Sequence, residues 1–125
     1  MHSVRPLAVA AVVVSSTALA FAQQLAPGQP VERPLAGGQT QTFTLHLDAS
    51  QYLDAVVDQR GIDVVVTLVA PDGKPLAEID SPNGANGPEP LTVIASAAGD
   101  YTLKVASPDP KAAEGRFAVR ILELR

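Results

Sequence analysis

Between Gln39 and Arg125 apolar and polar residues alternate with a period of two, and no stretch there offers a good helical stripe. Successive side chains of a strand point to opposite faces, so this pattern commits the chain to half-buried strands. Phe43, Leu45 and Leu47 share one face of the first run, opposite Thr42, Thr44 and His46. In Tyr52–Gln59, Leu53, Ala55 and Val57 compete with Tyr52 and Val56 for the inward side. Ile62, Val64, Val66 and Leu68 line one side of Ile62–Ala70, the most apolar run. Its consecutive branched valines favour an extended, central position in a sheet. A short strand is expected around Leu76–Ile79. Leu91, Val93 and Ala95, then Tyr101, Leu103 and Val105, then Phe117, Val119 and Ile121 mark three more.

The turns between these runs carry their own chemistry. Pro71-Asp72-Gly73-Lys74 is the clearest, because proline presets one turn angle and glycine accepts the left-handed one. Gly61 and Gly99 mark two further turns, so Gly61, Pro71, Asp72, Gly73 and Gly99 are the expected structural turn residues. Ser81–Pro90, with Asn83-Gly84, Asn86-Gly87 and three prolines, reads as a long surface loop. Ser107–Gly115 reads as a second, with room for one helical turn at Ala112-Ala113-Glu114. About seven short strands joined by Gly/Pro-rich turns point to an all-β fold, an antiparallel, jelly-roll-like β-sandwich. A small closed barrel has the same periodicity and competes with it.

Ahead of the strands stands an export signal. His2 and Arg5 lead into the apolar run Leu7–Val14, and Ala20-Phe21-Ala22 supplies a cleavage site before Gln23. Residues 1–22 are therefore expected to form a signal helix that is removed, too short for a stable membrane span. Residues 23–38, with Pro27, Pro30, Pro34 and Gly37-Gly38, read as a leader or an edge segment. The chain has no cysteine, which excludes disulfides and a lipoprotein anchor, so stability must come from packing. Export without disulfides fits a bacterial periplasmic or extracellular protein.

Charge and residue inventory argue against most chemistry. The formal net charge is −4, and the basic residues are scattered, which excludes the concentrated positive face that nucleic acid requires. His46 is the one histidine beyond the signal, and Ser50, Ser81, Ser96 and Ser107 lie in no Gly-x-Ser-x-Gly elbow. A catalytic residue is not expected, and zinc lacks ligands. Asp80, Asn83 and Asn86 form the best candidate calcium cluster, because calcium takes carboxylate, amide and carbonyl oxygens. The competing reading is that Asp and Asn stand in turns for their own backbone hydrogen bonds. Tyr52 and Tyr101 each open a strand, where the ring packs and the hydroxyl reaches backbone or solvent.

Taken in order, Leu25–Arg33, Leu35–Thr40, Gln51-Tyr52-Leu53, Gln59–Leu68, Pro71–Leu76 and Gly99–Leu103 form a recognisable series. It resembles the N-terminal β domain of exported bacterial proteins that continue into tetratricopeptide repeats and often a caspase-like domain. More distantly it is similar to the bacterial pre-peptidase C-terminal (PPC-like) domain, a jelly-roll-like sandwich appended to secreted enzymes. Ser50 stands where such domains usually have glycine. The resemblance implies a PPC-like sandwich over residues 39–125, next to a repeat region in longer relatives. It implies that any peptidase activity belongs to another domain. The chain's end at Arg125 reads as a truncated product or a free-standing copy.

The expected function is an exported non-catalytic accessory domain. Its partner is an unknown protein or surface glycan, or it supports a neighbouring domain. A calcium- or carbohydrate-binding module is the alternative, and a self-associating structural protein using an exposed sheet edge a further one. No cofactor is expected apart from calcium in the alternative reading.

Overall fold

In the computed structural model, residues 22–81 and 83–125 are described, and they build two facing sheets. The strands in chain order are β1 (Gln23–Gln24), β2 (Val31–Leu35), β3 (Thr40–Leu47), β4 (Tyr52–Arg60) and β5 (Val65–Val69). They continue as β6 (Pro75–Ile79), β7 (Asn86–Ile94), β8 (Gly99–Ala106) and β9 (Gly115–Leu124). One sheet has the order β1-β3-β8-β5-β6 and the other β2-β9-β4-β7. All pairings are antiparallel except β1 with β3. The fold is an all-β, jelly-roll-like sandwich rather than a closed barrel. The expected signal helix and cleavage site fall, but for Ala22, outside the described residues.

Period-two alternation decides what lies between the sheets. Phe43, Leu45, Leu47, Val66, Leu68, Tyr101, Leu103 and Val105 point inward from the five-stranded sheet, each nearly inaccessible. Leu53, Ala55, Val57, Leu91, Phe117 and Val119 oppose them from the four-stranded one. The competition along β4 is thus won by Leu53, Ala55 and Val57, while Val56 is covered on the outer face. Phe43 and Phe117 meet edge to face across the core, with ring centroids 6.0 Å apart. Aromatic pairs favour this arrangement because a ring edge is positive and a ring face negative.

Two departures from the sequence reading have one cause. There are nine strands rather than about seven, because residues 23–38 supply an edge strand to each sheet. Leu25, Val31 and Leu35 from this segment are buried. The long loop expected over Ser81–Pro90 is also shorter, since β7 begins at Asn86 and pairs Pro88 with Asp58 and Pro90 with Val56. Proline lacks the ladder donor but is tolerated where its nitrogen faces a free edge, and β2 and β7 are both edge strands.

The corners are fixed by local hydrogen bonds. At Pro71–Lys74 the Gly73 N–H donates to the Ala70 carbonyl (2.9 Å) with φ +85°, and the Lys74 N–H donates to Asp72 Oδ1 (2.9 Å). Tyr101 buries its ring and donates its hydroxyl to the Ala97 carbonyl (2.7 Å), which ties the β7–β8 connection to the core. Ser50 has φ +67°, the only positive value outside glycine among the described residues. It turns the chain from β3 in one sheet to β4 in the other.

Candidate functional site

Polar side chains enter the interior at one end of the sandwich. Gln59 closes β4 on the inner face, and its Oε1 accepts the Val64 N–H (2.7 Å) at the start of the next segment. Its Nε2 donates to the Gly87 carbonyl (3.4 Å), so one amide joins β4, β5 and β7. Glu89 lies on the same inner face of β7 and is fully buried. Its Oε2 accepts the Ser81 N–H (2.9 Å), which holds the β6–β7 connection against the edge. Its Oε1 is buried with no hydrogen-bond partner. Nearby, burial of the Asp63 carboxyl pushes it above the ordinary carboxylate value, and the charges of Asp80 and Glu89 add to that effect.

The outer faces differ in charge. On the four-stranded sheet Glu32 binds Arg60 (3.0 Å) and Arg116 (2.8 Å), and Arg120 binds Asp58 (3.1 Å). Hydrogen bonding from Arg116 holds the Glu32 carboxyl below its usual value, with Arg60 adding to it. Toward the other end of this sheet lie Ile94, 66% exposed, opposite Tyr52, and Leu122, 54% exposed. Leu122 is the extra residue where β9 bulges between Asp54 and Ala55 of β4. An open groove of about 310 Å³ adjoins it, walled by Pro27, Pro30, Ile121 and Leu122 with Arg120 at its side. The five-stranded sheet instead presents Thr42, Thr44, Thr67, Thr102 and Lys104, with His46 at one end.

The residues singled out from sequence are only partly brought together. Asp80 follows β6 and is exposed. Asn83 donates its amide to the Pro88 carbonyl (2.8 Å). Asn86 is the first residue of β7, exposed and paired with Arg60, on the face away from Glu89. Among the described residues no group of three or more His, Cys, Asp or Glu is placed to hold a metal ion. His46 lies between Asp100 (3.3 Å) and Asp48 (3.2 Å), which raise its pKa above the ordinary value, Asp100 most. Both of its nitrogens thus face exposed carboxylates.

Other features bear on the alternative readings. Phe43, Tyr101 and Phe117 are buried, leaving Tyr52 as the one partly exposed aromatic ring among the described residues. Stacking on sugars therefore has a single candidate. Every edge strand is interrupted or very short: β1 has two residues, β2 contains Pro34, β6 begins at Pro75, and β7 contains Pro88 and Pro90. Such edges resist pairing with another chain. No helix among the described residues is long and apolar enough to cross a membrane. Glu89 escaped the sequence reading because Pro88 and Pro90 flank it. The signal was there in the inward series Gly87, Glu89, Leu91, continued back through the prolines.

No family model and no curated protein matches the chain. Among solved structures it is similar to the pre-peptidase C-terminal domain of a collagenase from Bacillus anthracis, with TM-score 0.66 and 20% identity over 81% of this chain and 94% of that one. It is also similar to PliG of Aeromonas hydrophila, a periplasmic inhibitor of g-type lysozyme, with TM-score 0.62 and 14% identity over 80% and 95% of the two chains. PliG of Salmonella Typhimurium gives TM-score 0.57 and 17% identity over 84% and 100%. At these identities the likeness is one of fold: the sandwich is that of the PPC-like domain and of the lysozyme inhibitors.

Proposed function

We propose that this chain is an exported, non-catalytic accessory β-sandwich that contacts another protein through the outer face of its four-stranded sheet. The observation that carries this reading is exposed Leu122 at the Pro27/Pro30 groove, with exposed Ile94 on the far edge strand of the same sheet. Large apolar side chains in water mark contact surfaces when they adjoin a groove and ordered charges. Protected edges favour a face over strand addition as the mode of contact. Two fold neighbours bear on the partner: one is a domain of a collagenase, and the other inhibits g-type lysozyme. One is thus part of an enzyme, and the other acts against an enzyme and is periplasmic. In a longer protein the partner is the neighbouring domain, for which tetratricopeptide repeats are the first candidate.

The test uses Leu122→Asp and Ile94→Lys, which sit on the surface and leave the core intact. Binding to g-type lysozyme and to a recombinant repeat domain is measured by surface plasmon resonance. Loss of binding in both variants at an unchanged melting temperature supports the reading. Unchanged binding to a partner that the wild type holds removes this face from the account.

A further inference from the structure

On the premise that the outer face of the four-stranded sheet contacts another protein, we propose that Arg60 and Arg116, with Arg33 beside them, bind a carboxylate of an acidic segment of that protein. The register sets Arg60 of β4 directly opposite Arg116 of β9. Like charges in that relation destabilise a ladder, so the pair calls for a carboxylate between its guanidiniums. Glu32 of the edge strand β2 supplies one. Its Oε2 accepts from Arg60 Nη1 (3.0 Å) and its Oε1 from Arg116 Nε (2.8 Å). Arg33 Nη1 donates to the main-chain carbonyl of the same residue (2.9 Å). Three guanidiniums thus surround a residue with a single negative charge.

Basic residues that are scattered in the sequence are sorted by the fold. Arg33, Arg60, Arg116, Arg120 and Arg125 all belong to, or directly follow, strands of the four-stranded sheet. Lys104 lies on the five-stranded sheet, and Lys74 and Lys111 lie in turns. The planar fork of arginine holds a carboxylate through two N–H groups, which a lysine ammonium does not match. Arg120 is balanced by Asp58 and Arg125 by Glu123, so the surplus positive charge sits at Arg33, Arg60 and Arg116. The Arg60 and Arg116 side chains are each 53% exposed. Among the described residues their other N–H groups meet no protein acceptor.

A short acidic segment fits this site better than a long polyanion. Asp58 and Asp54 follow on the same face of β4, and the whole chain carries a net charge of −4. A sulfated glycan running along the sheet would meet those carboxylates, whereas one glutamate or aspartate reaching between the guanidiniums would not. Arg116 and Leu122 lie about 20 Å apart along β9 at the usual strand rise. The charged and the apolar contact therefore occupy opposite ends of one face, within the span of an ordinary protein interface.

The isotope-labelled protein is titrated with a peptide of alternating glutamate and glycine, and the arginine Nε–H signals are followed by NMR. Saturable shifts are expected at Arg60 and Arg116, weakening as salt is added. Arg60→Gln and Arg116→Gln each lower the affinity roughly two- to fivefold, and Lys104→Gln on the other sheet leaves it unchanged. Glu32→Gln frees both guanidiniums and tightens binding by a similar factor, whereas Asp48→Asn removes the same charge elsewhere and does not. All of these side chains are exposed, so the fold is kept. Absence of saturable shifts, affinity untouched by both arginine substitutions, or equal tightening in Glu32→Gln and Asp48→Asn overturns the proposal. So does a heparin oligosaccharide that saturates the site where the peptide does not. The peptide has no apolar side chain, so Leu122→Asp leaves its binding unchanged, and failure here is distinct from failure of the apolar contact.

Discussion

In the five-stranded sheet the inward positions run from Phe43, Leu45 and Leu47 through Val66 and Leu68 to Leu103 and Val105, with polar threonines turned to water. In the four-stranded sheet the same alternation admits Gln59 and Glu89 into the interior. Its outer face holds the Glu32, Arg60 and Arg116 group and exposed Leu122 and Ile94. One sheet spends its residues on burial and solubility. The other tolerates buried polar groups and exposed apolar ones, each of which costs stability. That division separates a support from a working surface, and substitutions on either side of it test the distinction.

The largest effect belongs to the support. Phe43→Ala removes one half of the edge-to-face pair with Phe117 and leaves a cavity, so it is expected to cost about 3–5 kcal/mol in urea unfolding. Partner binding by the molecules that remain folded should be unchanged. Next comes Gly115→Ala, where β9 of the working sheet meets the β4–β5 corner. An added Cβ would lie 2.6 Å from the Gly61 carbonyl carbon and 2.8 Å from Ile62 Cβ, inside backbone contact distance. A loss of about 1–3 kcal/mol follows from such overpacking. A neutral result would mean that this corner is looser than its contacts imply.

A gain is expected at the crossing between the sheets. Ser50 holds a left-handed conformation that disfavours side chains, so Ser50→Gly should stabilise by up to about 1 kcal/mol, read as a raised denaturation midpoint. The smallest effects come from the two outer faces, and they run in opposite directions with pH. His46 has its folded value raised above 6.5 by Asp100 and Asp48. Its contribution is full below 6.5 and is lost as pH rises through the folded value. Glu32 has its value lowered below 4.5 by Arg116 and Arg60; its contribution is present above 4.5 and is lost as pH falls through the folded value. Both groups are exposed, so the slopes are shallow and weaken with salt. Unfolding midpoints across pH should flatten near neutrality in His46→Gln and in the acid range in Glu32→Gln.

The support was far more legible in the sequence than the working surface. Ile62–Ala70 declares its buried side because Ile62, Val64, Val66 and Leu68 alternate without interruption, and all four are buried. Phe43, Tyr101 and Phe117 follow the same rule. Prolines hid the rest: Pro34 masked β2, and Pro88 and Pro90 masked the first half of β7. Proline argues against a strand locally, whereas whether its nitrogen faces a free edge depends on sheet order, which is a long-range property. Glu89 was lost with β7, because its burial follows from register with Val57 and not from its neighbours. Leu122 was hidden for a similar reason. The bulge that displaces it exists only in the pairing of β9 with β4.

The most direct measurement compares the two faces in one assay. Wild type, Leu122→Asp and Thr42→Asp are immobilised, and the exported proteins each retains are quantified by mass spectrometry. Thr42 lies opposite Lys104 on the five-stranded sheet, so an aspartate there is well accommodated. The account predicts that Leu122→Asp loses specific proteins that wild type and Thr42→Asp both retain. Loss in Thr42→Asp with retention in Leu122→Asp would place the contact on the threonine face and contradict it.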